Sequence, residues 1–173
     1  MFDKEYSFTG KHADMVNNLT KSFDNKKNSF FKTNYEVYIL APIIGFLYNR
    51  KSDPDKTTES KATKIFTEQL INNADDLWFN YALIMLLDTK NEPDLEKRIE
   101  KAFRRLKNES DEELFESYVR GGVEVLYEKL MDGVTNPEDY PNRLYDFLEE
   151  FDSRYNQDID MDSILELCTK AKS

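Results

Sequence analysis

The chain has 173 residues, a formal net charge of −10 and one cysteine, Cys168. A single cysteine excludes an internal disulfide and fits a reducing, cytoplasmic compartment. The acidic balance excludes a general nucleic-acid coat, because phosphate contacts need a cationic surface. Direct nucleic-acid binding is therefore not expected.

The charge is unevenly spread: residues 1–72 hold 11 Lys/Arg against 9 Asp/Glu, and residues 73–173 hold 13 against 25. Lys21, Lys26, Lys27, Lys32, Arg50 and Lys51 could gather into a basic patch. A solvated loop is the preferred reading of such a run. The opening MFDKEYSFTG has no apolar signal region, so secretion is not expected. The length suits one domain spanning 1–173.

Residues 1–9, with Tyr6 and Phe8, read as an extended arm. Lys11 to Phe23 reads as a short helix with Met15, Val16, Leu19 and Phe23 at helical spacing. A polar loop, Asp24 to Lys32, follows. The run from Asn34 to Arg50 is the most apolar stretch of a chain whose mean hydropathy is −0.73. It leaves no polar face on a helical wheel, which predicts burial on most sides, and it is too short to span a bilayer. Thr33 and Glu36 have the form of a capping box, placing the helix start at Asn34. Pro42 predicts a kink or break near Leu40–Pro42, and Gly45 would permit close approach of another backbone. A kinked core helix is the favoured reading; a ligand or partner groove at the kink is the sharper one.

KSDPDKTTE (Lys51–Glu59) is a clear break. Ser60 to Asn72 reads as amphipathic, with Ala62, Ile65, Phe66 and Leu70 on one face. Asn73 to Thr89 reads as the second heavily buried helix and the natural packing partner of the first. Asn91-Glu92-Pro93 has the form of a cap followed by a proline in the first turn. After it, Leu95, Ile99, Ala102, Phe103 and Leu106 form one inward stripe, opposite a Glu100–Arg104 helical ion pair. Ser110 with Glu113 resembles a capping box opening a helix to about Met131. Gly121-Gly122 interrupts that helix at roughly 1 kcal/mol each relative to Ala. Such a cost predicts close helix crossing, a kink or a binding surface. Asn136-Pro137 opens a further helix with Tyr140, Leu144, Phe147, Leu148 and Phe151 inward. Met161 to Lys172 reads as a last short helix carrying Ile164, Leu165 and Cys168. The prediction is an all-α, compact bundle of seven or eight helices around two strongly apolar ones.

The motifs carry little chemistry. The single His12 excludes the usual His-based metal sites and reads as a surface residue. Cys168 reads as a buried inert thiol. Asp158, Asp160 and Asp162 have calcium-loop spacing, but Ser163 and Thr169 stand where the glycine and the bidentate acid are needed. Neither a phosphate-binding glycine loop nor a nucleophile elbow is present. Glu112-Glu113 and Glu149-Glu150 read as solvated surface. No cofactor, metal or catalytic residue is expected.

Three segments carry a family resemblance. FFKTNYEVYILAPIIGFLYNR (Phe30–Arg50), WFNYALIMLLDTKNEPDLEK (Trp78–Lys97) and LFESYVRGGVEVLYEKL (Leu114–Leu130) resemble small helical proteins encoded beside bacterial DNA phosphorothioation (Dnd) restriction systems. The likeness covers about residues 28–131, leaving the tail from Gly133 as a helical extension. It implies an accessory protein of an antiphage or DNA-restriction cluster working through protein contacts.

The first expectation is thus a non-catalytic adaptor that binds a larger nuclease, ATPase or DNA-modification component. Its contact surface is placed at Tyr118, Arg120, Gly121 and Gly122, where the helix gives up stability. A second reading is an acidic DNA mimic that inhibits a DNA-binding protein. An enzyme using scattered Asp, Glu or Tyr residues ranks last. Self-association is open.

Overall fold

The computed structural model describes residues 2–56, 61–104 and 108–155. Cys168, the Asp158–Asp162 spacing and the helix expected at Met161–Lys172 lie outside the described residues. The chain divides into two compact units, Met1–Gly133 and Val134–Ser173.

The first unit is mostly helical: α1 (Gly10–Thr20), α2 (Asn34–Leu47), α3 (Thr67–Asn72), α4 (Ala74–Leu87), α5 (Leu95–Phe103) and α6 (Glu109–Leu130). It also holds two short strands, β1 (Tyr6–Phe8) and β2 (Thr63–Ile65), paired antiparallel with Tyr6 opposite Ile65 and Phe8 opposite Thr63. The amphipathic stretch Ser60–Asn72 is therefore not one helix. Three residues of it form a strand, because Phe8 and Ile65 bury together while the backbone pairs across the ladder.

Thr33 caps α2 as its sequence suggests, its hydroxyl accepting from the Glu36 N–H; the Glu36 carboxylate accepts from Lys32 N–H at 2.7 Å. Of the kink or break expected near Leu40–Pro42, the break does not occur: the helix continues through Pro42. Asn80 of α4 donates to the Ile39 carbonyl at 2.7 Å, satisfying backbone close to where the proline removes a donor. The principal neighbour of α2 is α6, not α4. Gly45 of α2 and Gly122 of α6 make this possible. A Cβ at Gly122 would lie 1.8 Å from the Ala41 carbonyl oxygen, and one at Gly45 would lie 2.1 Å from that of Tyr118. Gly122 thus marks a close helix crossing, and its neighbour Gly121 lies against the Arg50 carbonyl just past the end of α2; the buried surface offsets the helix-propensity loss.

Two helix starts differ from expectation. Asp94, not Asn91, caps α5, accepting from the N–H groups of Glu96 and Lys97. Asn108 caps α6 ahead of Ser110, and Glu113 turns instead to Arg120. The stripe expected to face inward on α5 is largely exposed: Leu95, Ile99 and Phe103 face solvent, Ala102 alone of its described members is buried, and Leu106 lies outside the described residues. The inward side of α5 is polar. Arg98 Nε donates to the Leu86 carbonyl at 2.9 Å, closing the end of α4, and Lys101 meets buried Asp111 of α6 at 2.9 Å. These charged anchors set the rotation of α5 against the hydrophobic preference.

The second unit is described through α7 (Tyr140–Tyr155), preceded by a 3-10 turn at Pro137–Asp139. Phe147 is buried and Tyr140 and Phe151 are half-buried, while Leu144 and Leu148 are exposed, so the stripe predicted to lie inward is only partly covered.

Candidate functional site

The most developed polar constellation is centred on Glu124 of α6. Glu116, Arg120, Glu124 and Glu128 recur every four residues and so share one face of α6. Lys11 and His12 of α1 and the segment 50–55 close over that face. The Glu124 Oε1 atom receives Lys11 Nζ at 2.8 Å, Ser52 Oγ at 2.6 Å and His12 Nε2 at 3.1 Å. Its Oε2 receives Arg50 Nε at 3.3 Å, and Arg50 also reaches Glu128 at 2.5 Å. Burial alone would raise the Glu124 carboxyl, but hydrogen bonds from Lys11, Ser52 and His12 outweigh it and hold the pKa down to about 2.

An ionised Glu124 takes the Nε2–H of His12, which leaves Nδ1 as the lone-pair nitrogen of a neutral imidazole. Burial keeps His12 below its ordinary pKa, partly offset by the Glu124 hydrogen bond. His12 is 1% exposed, a buried residue rather than the surface histidine expected. Its Nδ1 has no hydrogen-bond partner among the described residues. His12 lines a cavity of about 120 Å³ with Tyr6, Thr9, Pro54, Glu116 and Arg120. Arg120 donates through Nε to the Ser52 carbonyl at 2.7 Å and pairs with Glu113 and, at 3.5 Å, Glu116. The cations here are matched by carboxylates or carbonyls, so the cluster ties α1, the 50s segment and α6 together. Asp55 strengthens the tie: its carboxylate accepts from Lys11 N–H at 2.8 Å in the first turn of α1, where negative charge is favourable. Spacing alone carried one signal of this cluster, the charged positions four apart on α6.

A second buried group lies where α4 ends. Tyr118 donates its hydroxyl proton to Asp88 Oδ2 at 2.7 Å, and Asn91 also donates to Asp88. Burial raises the Asp88 carboxyl, and these hydrogen bonds more than reverse that, leaving it below its ordinary pKa. Tyr118→Phe is expected to lower stability by about 1–2 kcal/mol, since it strands a carboxylate lone pair in a buried setting. Chemical denaturation reads the loss; a variant as stable as wild type would mean the bond contributes nothing net.

The four residues placed at a contact surface from sequence, Tyr118, Arg120, Gly121 and Gly122, are all buried. They come together in the fold, but as interior packing against α2 and the 50s segment, so their side chains do not present an exposed surface. The helix gives up stability at the glycines to admit a neighbouring backbone. Among the described residues, no group of three or more His, Cys, Asp or Glu side chains is placed to hold a metal ion. No described helix is long and apolar enough to cross a membrane.

The model of one family, DNA sulphur modification system-associated protein 4, matches residues 8–164. The chain belongs to that family. The match reaches well beyond the 28–131 segment that carries the resemblance in sequence, taking in α1 and α7. The Glu124 cluster, from Lys11 to Glu128, lies wholly inside the family region. No curated protein and no solved structure matches the chain. The association with DNA sulphur modification is thus a property of the family, and it places this helical protein beside that system.

Proposed function

We propose that this protein is a non-catalytic accessory of the DNA sulphur modification system, working through protein contacts with a larger nuclease, ATPase or modification component in the cytoplasm. The observation that carries the reading is the surface of α7. Leu144 and Leu148, one turn apart, are exposed with Tyr145, and Asp146, Glu149, Glu150 and Asp152 flank them. An apolar stripe rimmed by carboxylates complements a partner surface that is apolar at its centre and basic at its edge. The exposed apolar centre supplies affinity, and the acids supply orientation and encounter rate.

The alternative, an acidic DNA mimic, draws on the same carboxylates but gives the apolar stripe no role. Capture of purified components of the system by the tagged chain separates the two. For the adaptor, Leu144→Ser with Leu148→Ser weakens capture at least about tenfold, and raising salt from about 0.1 to about 0.5 M has a smaller effect. For the mimic, Glu149→Gln with Glu150→Gln and the same salt step are the dominant losses. Turnover of DNA or nucleotide by the pure protein would overturn the non-catalytic reading.

A further inference from the structure

From a different helix, and independently of the α7 reading, we infer that α5 is a self-association surface whose occupant is the α5 of a second copy of this chain. Leu95, Ile99 and Phe103 sit at i, i+4 and i+8 and are 55%, 44% and 65% exposed. Phe79 and Leu87 of α4, the helix packed beside α5, are 67% and 52% exposed. A run of large apolar side chains this open is uncommon on a free surface and marks an interface. The inward side of α5 is already committed, through Arg98 to the end of α4 and through Lys101 to Asp111, so the helix cannot roll to hide the stripe.

The identity of the occupant follows from the flanking charges. Glu96, Glu100 and Arg104 form the ridge beside the stripe, also four residues apart and all exposed. When two identical helices meet antiparallel about a two-fold axis, a given ridge faces its own copy, and the contacts are reciprocal. With the axis at Ile99–Glu100, Leu95 meets Phe103 of the other copy, Ile99 meets itself, and Glu96 faces Arg104, twice over. Residues 96 and 104 are about 12 Å apart along the helix, so both pairs span the apolar centre. Glu100, which falls at the axis, is neutralised within its own helix by Arg104 at 2.9 Å. The ridge is thus acidic at its N-terminal end and basic at its C-terminal end, the pattern that matches itself only when reversed.

The test is the mass of the full chain in solution, by sedimentation across a concentration series. The expected species has twice the 20.5 kDa chain mass and persists as salt rises, because the centre is apolar and added salt screens the repulsion between two chains of charge −10. Ile99→Asp gives a monomer of unchanged helicity. Glu96→Arg and Arg104→Glu each weaken association about tenfold or more, by setting like charges opposite one another. An equimolar mixture of these two single variants associates again as a heterodimer, because the arginine introduced in one chain then faces the glutamate introduced in the other. A wild-type chain that stays monomeric to about 100 μM, or a dimer indifferent to Ile99→Asp and to the charge swaps, overturns the inference. If the chain is monomeric and Ile99→Asp instead abolishes capture of a system component, the face belongs to that partner and the inference is overturned. Failure here leaves the α7 reading standing, since Leu144 and Leu148 are tested by a different assay.

Discussion

Gly122→Ala is expected to destabilise the protein by about 3 kcal/mol or more, the opposite of what the residue's helical position suggests. An alanine in mid-helix ordinarily gains about 1 kcal/mol over glycine. Here the added methyl would sit 1.8 Å from the Ala41 carbonyl oxygen and 2.9 Å from the Gly45 amide nitrogen, both backbone atoms of α2. Neither can swing aside as a side-chain tip would, so α2 and α6 must separate and the apolar seam between them loosens. Urea denaturation with far-UV circular dichroism measures the shift in midpoint. Gly121→Ala should be costly too, because its added methyl would sit 2.0 Å from the Arg50 carbonyl oxygen, in a segment pinned by the Arg50 N–H to the Gly45 carbonyl and the Ser52 N–H to the Ser117 carbonyl. A Gly122→Ala protein as stable as wild type would show that the two helices do not cross this closely.

Glu124→Gln is expected to remove about 3 kcal/mol, with a pH signature that identifies its origin. The substitution keeps the shape but leaves Lys11, Arg50 and the His12 N–H facing a neutral amide, and breaking a buried charge set from one side is costly. Because the folded pKa of about 2 lies below the ordinary glutamate value of 4.5, the unfolded chain binds the proton more readily. The contribution of Glu124 is therefore complete above pH 4.5 and is lost as pH falls from there towards 2. His12 acts in the same direction at higher pH. Its folded pKa lies below 6.5, so the unfolded chain takes up the proton first and stability begins to fall below that value. Glu116 opposes both: burial raises its folded pKa, and the stability it lends is present at low pH and lost as pH rises through that raised value. Urea midpoints of wild type and Glu124→Gln at about pH 7, 5 and 3 test this, since the variant should lose the steep acid limb. If wild type and variant share one pH profile, the carboxylate is not the group that couples acid to unfolding.

Much of the site was hidden for a definite reason. The α6 charges are visible as a spacing of four, but their partners come from Lys11, His12, Arg50 and Ser52, which stand more than 70 residues away from Glu124 in the chain. His12 carries no local mark of burial. It lies beside Lys11 at the start of a weakly apolar helix and is enclosed by groups distant in sequence, Pro54 of the 50s segment and Glu116, Arg120 and Glu124 of α6. Tyr118, Arg120, Gly121 and Gly122 were singled out by a real signal, the loss of helix stability, whose cause was a packed neighbour rather than an open surface.

The amino-acid sequence by itself determined that the chain is mostly helical, where α2 and α4 run, that Thr33 caps α2 and that Gly121-Gly122 marks an unusual place on α6. These follow from periodicity, capping and composition, which act over one or two turns. The link to DNA sulphur modification was also carried by sequence, through the likeness of three segments to a family. The tertiary structure decided that α2 lies along α6, that residues 6–8 pair with 63–65, that His12 and Glu124 are buried together, and that the apolar stripes of α5 and α7 remain open. Each of these depends on which distant group removes water from a given side chain. An apolar stripe with helical period records that a face needs covering. Whether the chain's own charged anchors turn that face inward, as they fail to do on α5, is settled only when Arg98 and Lys101 find Leu86 and Asp111.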